Sequence, residues 1–533
     1  MKRLSEKAAF FVGNNSKMYY FHGMNKKVVF KTYSQDQLSL LPPSYDDLVP
    51  KNHPVRIVNT IVDRLDISTL ERSYKGGGTS SYHPRMLLKV TIYAYLRNIY
   101  SSRKIEQALQ ENIHFMWLSG QSKPDHNTIN DFRGKRLKGI FQNIFNQVVI
   151  LLAEQGVLSL KELFVDGTKI EANANRHTFV WGKSNKTSKE RIKKQLKELW
   201  KYVESVYDQE QMLPNEPDFE AIDPEKVAQT IDTINQALKD KEIDKKVKQK
   251  LNYAKKNWPQ NLQKYNEQEK ILGTRNSYSK TDPDATFMRM KDDYMQNGQL
   301  KPGYNLQAST NNQFIVNYSL AQTTADTTTL KDHLQKHIAS YGEAPQTLTA
   351  DAGYGSEENY VDLEEKEVTA YVKYNYFHKE QRDKKHRENP FHPDNLFYNR
   401  ETDTYYCPMG QAMNKIECYE SQTKNGFKQT IHRYQAQNCL GCPLRGSCHK
   451  AKGNRTIERN HNLIRLKEKA RDLLLSDEGI AHRKRRCWDV EAVFGNIKQN
   501  MGFKRFMLRG MEKVTTEIGL IAMAHNLRKF SVA

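Results

Sequence analysis

Three acidic residues stand in local settings that could carry out chemistry. Asp166 and Asp351 each follow a short apolar run, as residues at the end of a strand do, and Glu491 lies in a helical pattern. Three carboxylates that converge on one point can hold two divalent metal ions, which activate water and stabilise the leaving oxygen when a phosphodiester is cleaved. In a strongly basic chain, this set indicates a metal-dependent acidic site.

Both aspartates also have a plainer interpretation. An Asp beside a strand is commonly a turn residue, and the Asp-Gly pair that begins at Asp166 suits a turn. Other acidic residues, Asp282, Asp284 and Asp326, look like turn or helix-cap residues. We favour Asp351 over Asp326 because Asp351 follows a strand, whereas Asp326 opens a helix.

Glu491 has the most specific setting. On a helix, Trp488, Glu491 and Lys498 share one face. A Lys in that position can hold a phosphate while the Glu holds metal, and the plainer alternative is a surface ion pair. Trp488 and Lys498 are therefore candidate DNA contacts.

The composition fits a polyanion partner. The chain of 533 residues is long enough for several domains and carries 83 Lys and Arg against 62 Asp and Glu, a formal charge of +21. Phosphate contacts would use that excess, although a solvated surface is the alternative. The chain start lacks the apolar segment of a signal peptide, and the run 148–153 is too short to span a bilayer. We expect a soluble, cytoplasmic protein without a membrane partner.

Residues 1–155 are predicted to form a helical domain. Pro84 suits the first turn of one helix, and the turn at 124–128 offers capping residues for another, which would place Arg133 and Arg136 outward. A compact helical domain with such a basic face could contact DNA as a helix-turn-helix does. The alternative is a solvated helix face.

An α/β core is predicted to follow. A strand at 161–172, a hairpin, a helix and a strand at 347–350 succeed one another in the order of a ribonuclease-H-like mixed sheet. In that fold the first and fourth strands are neighbours, so Asp166 and Asp351 would lie side by side. The core is predicted in three pieces, 156–182, 281–373 and 459–533.

Two insertions are predicted to interrupt this core. Residues 183–280 are polar and charged, with apolar residues at coiled-coil spacing, which predicts a helical hairpin. Residues 374–458 contain a CxxC pair and further cysteines at spacings that suit a structural zinc site. The predicted zinc ligands are Cys407, Cys439, Cys442 and Cys448, with Cys418 and His449 as substitutes. The plainer alternative is a set of inert thiols.

The chain resembles the DDE-type transposases of bacterial insertion sequences. Five segments carry the resemblance: the first-Asp motif (164–170), the second-Asp motif (348–356), the Glu motif (490–498), the helical front domain (83–136) and the terminal helix (520–528). It covers most of residues 80–530 apart from the helical insertion. Members of the family often carry an Arg four residues before the Glu. That position is Cys487 here, so either Arg486 or Arg483 takes the phosphate-binding role or this subgroup does without such an Arg.

The resemblance implies a transposase that binds the terminal inverted repeats of its element. Mg²⁺ or Mn²⁺ held by Asp166, Asp351 and Glu491 would support cleavage, and the freed 3′-hydroxyl would attack target DNA. Two ends must meet, so at least a homodimer is implied, located in the bacterial cytoplasm with the nucleoid. Two alternatives remain open: a ribonuclease-H-like nuclease that cleaves without joining, and a transposase-derived DNA-binding protein without catalysis.

Overall fold

The computed structural model describes residues 43–74, 80–206, 219, 223–239, 241–290, 298–384, 388–423 and 425–532. The chain divides into two units, Met1–Leu48 and Val49–Ala533. The described part of the first unit contains helix α1 (Tyr45–Leu48). Residues 1–42 of the predicted helical front domain lie outside the described residues.

The front of the second unit is helical, as predicted. Its helices are α2 (Pro54–Arg64), α3 (Ser68–Arg72), α4 (Pro84–Leu96), α5 (Ser102–Glu111), α6 (Ile113–Ser119), α7 (His126–Asp131) and α8 (Phe141–Glu154). Pro54 and Pro84 begin helices after histidine caps, where the missing proline N–H costs no hydrogen bond. A π-helix, Phe132–Arg136, follows α7.

The described residues from 162 to 372 form eight strands. These are β1 (Glu162–Glu171), β2 (Phe179–Trp181), β3 (Ser277–Ser279), β4 (Thr286–Arg289), β5 (Leu300–Asn311), β6 (Phe314–Ala321), β7 (Thr347–Ala350) and β8 (Thr369–Val372). Six of them form one mixed sheet, in which β5 pairs antiparallel with β4 and β6 on one side and with β1 on the other. β1 and β7 pair in parallel, as do β7 and β8. The strand order β6-β5-β1-β7-β8 confirms the predicted ribonuclease-H-like core.

The first insertion contains three helices rather than the predicted hairpin: α9 (Gly182–Val206), α10 (Pro224–Ala237) and α11 (Lys245–Leu272). The third helix buries Leu251, Ala254, Trp258 and Leu262 against the seams of α9 and α10, even though Pro259 lies inside it. Together these side chains form the insertion core, which is separate from the hydrophobic core of the sheet. Strands β2 and β3 pair at the two ends of the insertion.

The cysteine-rich region is built around a second, antiparallel sheet. Helices α12 (Leu330–Tyr341), α13 (Glu357–Glu365) and α14 (Phe377–Arg382) precede it. Its elements are β9 (Phe397–Asn399), β10 (Thr404–Tyr406), β11 (Ala412–Gln422), β12 (Lys428–Ala436), the short helix α15 (Arg445–Cys448) and β13 (Thr456–Arg459). The strands lie in the order β13-β12-β11-β10-β9 and bury a small core of seven side chains.

Three helices complete the chain: α16 (His461–Leu475), α17 (Asp477–Gly495) and α18 (Met511–Phe530). A second π-helix, Asn496–Asn500, continues α17. Helix α17 packs on β1, β5, β7 and β8, and α18 packs between β6 and the front helices α4 and α8. One continuous hydrophobic core therefore joins the front helices, the large sheet and these last helices. We call it the shared core; it includes Leu88, Phe145, Tyr318, Leu348 and Ile521.

Candidate active site

The topology brings the three predicted carboxylates to one place. Asp166 lies within β1 opposite Ala308 of β5, and Asp351 directly follows β7. Val165 and Ala350, the preceding residues, are partners in the parallel pair of β1 and β7, so the two aspartates are neighbours. Glu491 comes from α17, which packs on both strands.

The Arg486 guanidinium lies among these carboxylates. Its nitrogens are 3.4 Å from Asp166 Oδ2, 3.9 Å from Asp351 Oδ2 and 2.7 Å from Glu491 Oε1. The Arg486 side chain is only 6% exposed, whereas Glu491 is 49% exposed. Arg486 was predicted to bind phosphate, and in the structure its guanidinium contacts the three carboxylates. Since α17 packs directly on the sheet, the side chain turns into the acidic site.

Lys373 is a second cation at this site, and sequence spacing did not identify it. It directly follows β8, is buried, and places Nζ 3.4 Å from Asp351 Oδ1. Burial alone would raise the pKa of Asp351, but the Ala352 N–H, Arg486 and Lys373 together lower it. Asp351 therefore stays ionised well into the acidic range.

A hydrogen-bonded polar network lies beside Asp166. Asp326 accepts from Asn305 Nδ2 at 2.7 Å and from Gln307 Nε2 at 3.0 Å. The Tyr354 hydroxyl donates to Gln307 Oε1, and burial together with the charges of Asp326 and Asp166 raises the pKa of Tyr354. Asp326 thus does more than open a helix: it is a fourth carboxylate next to the site.

Gly167 makes room for this network. A Cβ there would lie 2.7 Å from Asp326 Oδ1, 2.7 Å from Gln307 Nε2 and 3.0 Å from the Tyr354 hydroxyl. The Asp-Gly pair therefore has a packing role within β1 and does not form a turn. The residues around Gly167 come from strands and helices that lie far apart in the chain.

The predicted DNA contacts of α17 lie close to Glu491 in sequence. Trp488 is half exposed, and the Arg485 guanidinium lies 5.8 Å from its ring centroid. Lys498 lies in the π-helix that follows α17 and is half buried. Asp489 faces elsewhere: it is buried and accepts from the Thr310 hydroxyl at 2.6 Å.

The two predicted basic residues of the front helices have different positions. Arg136 is exposed, donates to the Ser73 carbonyl at 2.6 Å, and stacks over Tyr74. Arg133 is 2% exposed and donates to the Tyr95 hydroxyl and the Tyr100 carbonyl. The prediction that Arg133 faces outward is wrong. Arg133 lies four residues after the buried Ile129, on the same helical face, and its guanidinium finds hydrogen-bond acceptors within the shared core.

The four predicted zinc ligands line one small cavity, of about 20 Å³. Cys439 Sγ accepts from the Arg455 N–H at 3.3 Å, and Cys448 Sγ accepts from Arg455 Nη1 at 3.1 Å. His449 also lines the cavity, and both of its ring nitrogens are buried without a hydrogen-bond partner among the described residues. Cys418 lies on β11, opposite His432 of β12, and is exposed.

The acidic site and the cysteine cavity contain the kinds of side chain that bind metal ions, but these side chains are not arranged around an ion position. Carboxylate oxygens suit hard divalent cations, and thiolates suit zinc. Within the described residues, however, no group of three or more His, Cys, Asp or Glu side chains is arranged so that it could hold an ion. At the acidic site, the Arg486 guanidinium lies where the carboxylates converge.

The strand order and the acidic site at the β1-β7 junction define a ribonuclease-H-like core, joined here to a helical front region. Residues 406–531 match the transposase DDE domain family, and residues 43–135 match the transposase domain family DUF772. These two matches support a DDE-type transposase of insertion sequences. The DDE match includes Glu491 and the four cysteines and does not extend to Asp166 or Asp351.

The remaining comparisons add no relative. No curated protein and no solved structure matches the chain. Across the described ranges, none of the helices combines the length and the apolar character needed to cross a membrane.

Proposed function

We propose that this transposase binds the terminal inverted repeats of its own element, cleaves at their ends, and joins the freed 3′-hydroxyl to target DNA. The observation that carries the proposal is the convergence of Asp166, Asp351 and Glu491 around one buried guanidinium. Three carboxylates from a strand, a strand end and a helix have no packing need to meet at one point. A functional site gives that arrangement a reason.

In this proposal Asp166, Asp351 and Glu491 are the residues that would hold Mg²⁺ or Mn²⁺. A bound divalent ion would supply Lewis-acid activation of the attacking oxygen and charge stabilisation of the leaving one. Asp351 is suited to this role because its lowered pKa keeps it ionised. Glu491 is half exposed, so a DNA backbone can reach this side of the site.

The cationic and aromatic side chains near the carboxylates would position DNA. Lys498 would hold a phosphate, and Trp488 offers an exposed ring on which a base can stack. Arg136, on the front helices, would contact the DNA phosphate backbone. That contact would depend on salt concentration but not on the DNA sequence. Because two element ends must be joined, we propose that a homodimer assembles on them.

A structural zinc ion in the cysteine cavity is a further part of the proposal. Cys407, Cys439, Cys442 and Cys448 would hold it, with His449 as a substitute. Two N–H groups of Arg455 already donate to sulfur, which favours thiolates. Gly410 and Gly441 adopt the left-handed conformation in the two turns that carry Cys407, Cys439 and Cys442.

The test is nicking of a labelled duplex that carries the terminal repeat, with and without Mg²⁺. Glu491→Gln is compared with Glu478→Gln, the same change on the same helix about 20 Å away along its axis. We expect metal-dependent nicking at the repeat end that is lost in Glu491→Gln and kept in Glu478→Gln. Joining to a second duplex separates a transposase from a nuclease that only cleaves.

Two results would contradict the proposal. If a folded chain binds the duplex but never nicks it with any divalent metal, the protein is a DNA-binding derivative without catalysis. If Glu491→Gln nicks as well as the unmodified chain does, Glu491 has no catalytic role.

A further inference from the structure

Arg486 is the residue whose position the proposed reaction does not explain. It comes from α17, five residues before Glu491, and contacts all three carboxylates at once. One guanidinium charge faces three carboxylate charges, and Lys373 adds a second cation at Asp351 only. The acidic site therefore already contains a counter-ion that belongs to the protein.

A guanidinium and a divalent ion make conflicting demands on these oxygens. Divalent ions of this kind bind carboxylate oxygens at roughly 2.0 to 2.6 Å. The oxygens that such an ion would use, Asp166 Oδ2, Asp351 Oδ2 and Glu491 Oε1, lie within 3.9 Å of Arg486 nitrogens. Two cations packed against the same oxygens would also repel each other strongly in a partly buried site.

The anchoring of the guanidinium depends on the carboxylates themselves. Arg486 Nη2 donates a hydrogen bond to Glu491, whereas Nε and Nη1 are buried without a hydrogen-bond partner among the described residues. Glu491, which accepts that hydrogen bond, is itself half exposed. The Arg486 head group is thus held mainly by charge, so a new anionic partner could draw it away.

We infer that Arg486 competes with divalent metal for Asp166, Asp351 and Glu491 and keeps the site closed to metal in the absence of DNA. A DNA phosphate is the anion that would relieve this competition, since guanidinium groups bind phosphate in a bidentate manner. Metal binding and DNA binding then favour each other, and by linkage each tightens the other equally. This inference rests on the proposed metal-dependent function of the three carboxylates.

The experiment measures Mn²⁺ binding to the full-length chain without DNA, by titration calorimetry or by electron paramagnetic resonance. Arg486→Gln is compared with the unmodified chain and with Lys373→Gln, which removes the same charge from a residue that forms an ion pair with Asp351. We expect Arg486→Gln to bind Mn²⁺ roughly tenfold tighter than the unmodified chain does. This is the gain expected if, in the unmodified chain, Arg486 leaves the carboxylates free in about one molecule in ten. Lys373→Gln should change the affinity less than about threefold.

A second measurement repeats the titrations with a duplex carrying the terminal repeat. DNA should tighten Mn²⁺ binding in the unmodified chain and do so much less in Arg486→Gln, because the competitor is already gone. Circular dichroism and a thermal melt check that the variant is folded. If it is not, Arg486→Lys takes its place and should bind Mn²⁺ with intermediate affinity, because an ammonium group cannot contact three carboxylates through a planar fork.

The outcomes separate the inference from the proposed function. Mn²⁺ affinity that is unchanged or weaker in Arg486→Gln overturns the competition and leaves the metal site standing. An equal increase in Mn²⁺ affinity in Lys373→Gln and Arg486→Gln also overturns the competition. Loss of one positive charge near the site would then explain the increase, whichever residue carried it. If no form of the chain binds Mn²⁺ with or without DNA, both the inference and the proposed metal site are wrong.

Discussion

The front helices and the helical insertion differ in how they are attached to the large mixed sheet. The front helices precede the sheet in the chain, yet their side chains belong to the shared core, where the Phe145 and Tyr318 rings lie 5.0 Å apart. The insertion begins inside the sheet domain, yet α9, α10 and α11 bury their apolar side chains among themselves. Position along the chain is therefore a poor guide to which parts fold together. We expect the front helices to be inseparable from the catalytic core and the insertion to be separable.

The first prediction tests whether the front helices are part of the shared core, by replacing Arg133 with Ala. Arg133 donates to the Tyr95 hydroxyl, which in turn contacts the buried carboxylate of Glu517 on α18. Removing one member of a buried charged network leaves the other uncompensated, so we expect a loss of about 4 kcal/mol in the free energy of unfolding. Urea denaturation measures it.

Arg136→Ala is the matched control, because Arg136 is exposed and only three residues away. Its free energy of unfolding should change by less than about 0.5 kcal/mol. If Arg133→Ala were as mild as Arg136→Ala, the front helices would not be part of the shared core.

The second prediction concerns Trp258, which is buried in the insertion core. Replacing it by Ala should destabilise the insertion by about 3 kcal/mol through the cavity it leaves. The shared core should keep its own transition, because the two cores are separate clusters. Limited proteolysis should then cut first within residues 182–272. A single, equally lowered transition for the whole chain would show that the two cores unfold together.

The third prediction uses acid to separate the same two regions. Burial lowers the pKa of His333 to about 3 and the pKa values of His337 and His525 to about 4, and these residues lie on α12 and α18. The insertion, residues 182–276, contains no histidine. Since the unfolded chain protonates its histidines near pH 6.5, their contribution to stability is full above that pH and is lost as pH falls toward 4.

The expected size is about 1 kcal/mol for each buried histidine between pH 6.5 and 5.5. Unfolding of the shared core should therefore shift strongly with pH in this window, while unfolding of the insertion should not. Trp200 and Trp258 report on the insertion by fluorescence. A parallel shift of both transitions would contradict the separation of the two cores.

The fourth prediction adds the cysteine-rich region, whose core of seven buried side chains is smaller than both the shared core and the insertion core. A core of that size rarely suffices without a metal or cross-links, so the predicted zinc should be bound. Elemental analysis of the purified chain should find about one zinc per molecule. Cys442→Ser should lower that content, Cys418→Ser should not, and the shared core should keep its stability in both. Zinc-free protein with an ordered β9–β13 sheet would make the zinc prediction wrong.

The sequence predicted the sheet and two of its acidic residues because the signals are local. Short apolar runs precede both aspartates: Asp351 directly follows β7, as predicted, whereas Asp166 lies in the middle of β1, which continues to Glu171. The order of elements decides which strands are neighbours. The failures have local causes as well. Arg133 was predicted to face outward, but it lies four residues after the buried Ile129 and therefore on the same helical face. The insertion was predicted as a hairpin of two helices, and its third helix, α11, was not expected.

The surroundings of the site could not be predicted in this way. Asp326, Gln307 and Tyr354 come from three different elements, so no spacing in the chain relates them. Lys373 follows β8, and only the pairing of β8 with β7 brings it to Asp351. Arg486 was identified from its nearness to Glu491 in sequence, but its burial among the carboxylates depends on how α17 packs on the sheet.

The central claim is that Asp166, Asp351 and Glu491 are the metal ligands of DNA cleavage, and a change of metal preference tests it most directly. In Asp351→Cys a soft sulfur replaces a hard oxygen, which disfavours Mg²⁺ far more than Mn²⁺. Nicking of the terminal-repeat duplex by this variant should be lost in Mg²⁺ and recovered at least in part in Mn²⁺, whereas the unmodified chain should nick in both. Full nicking by Asp351→Cys in Mg²⁺ would contradict the account, because a ligand of the catalytic metal could not be exchanged without effect.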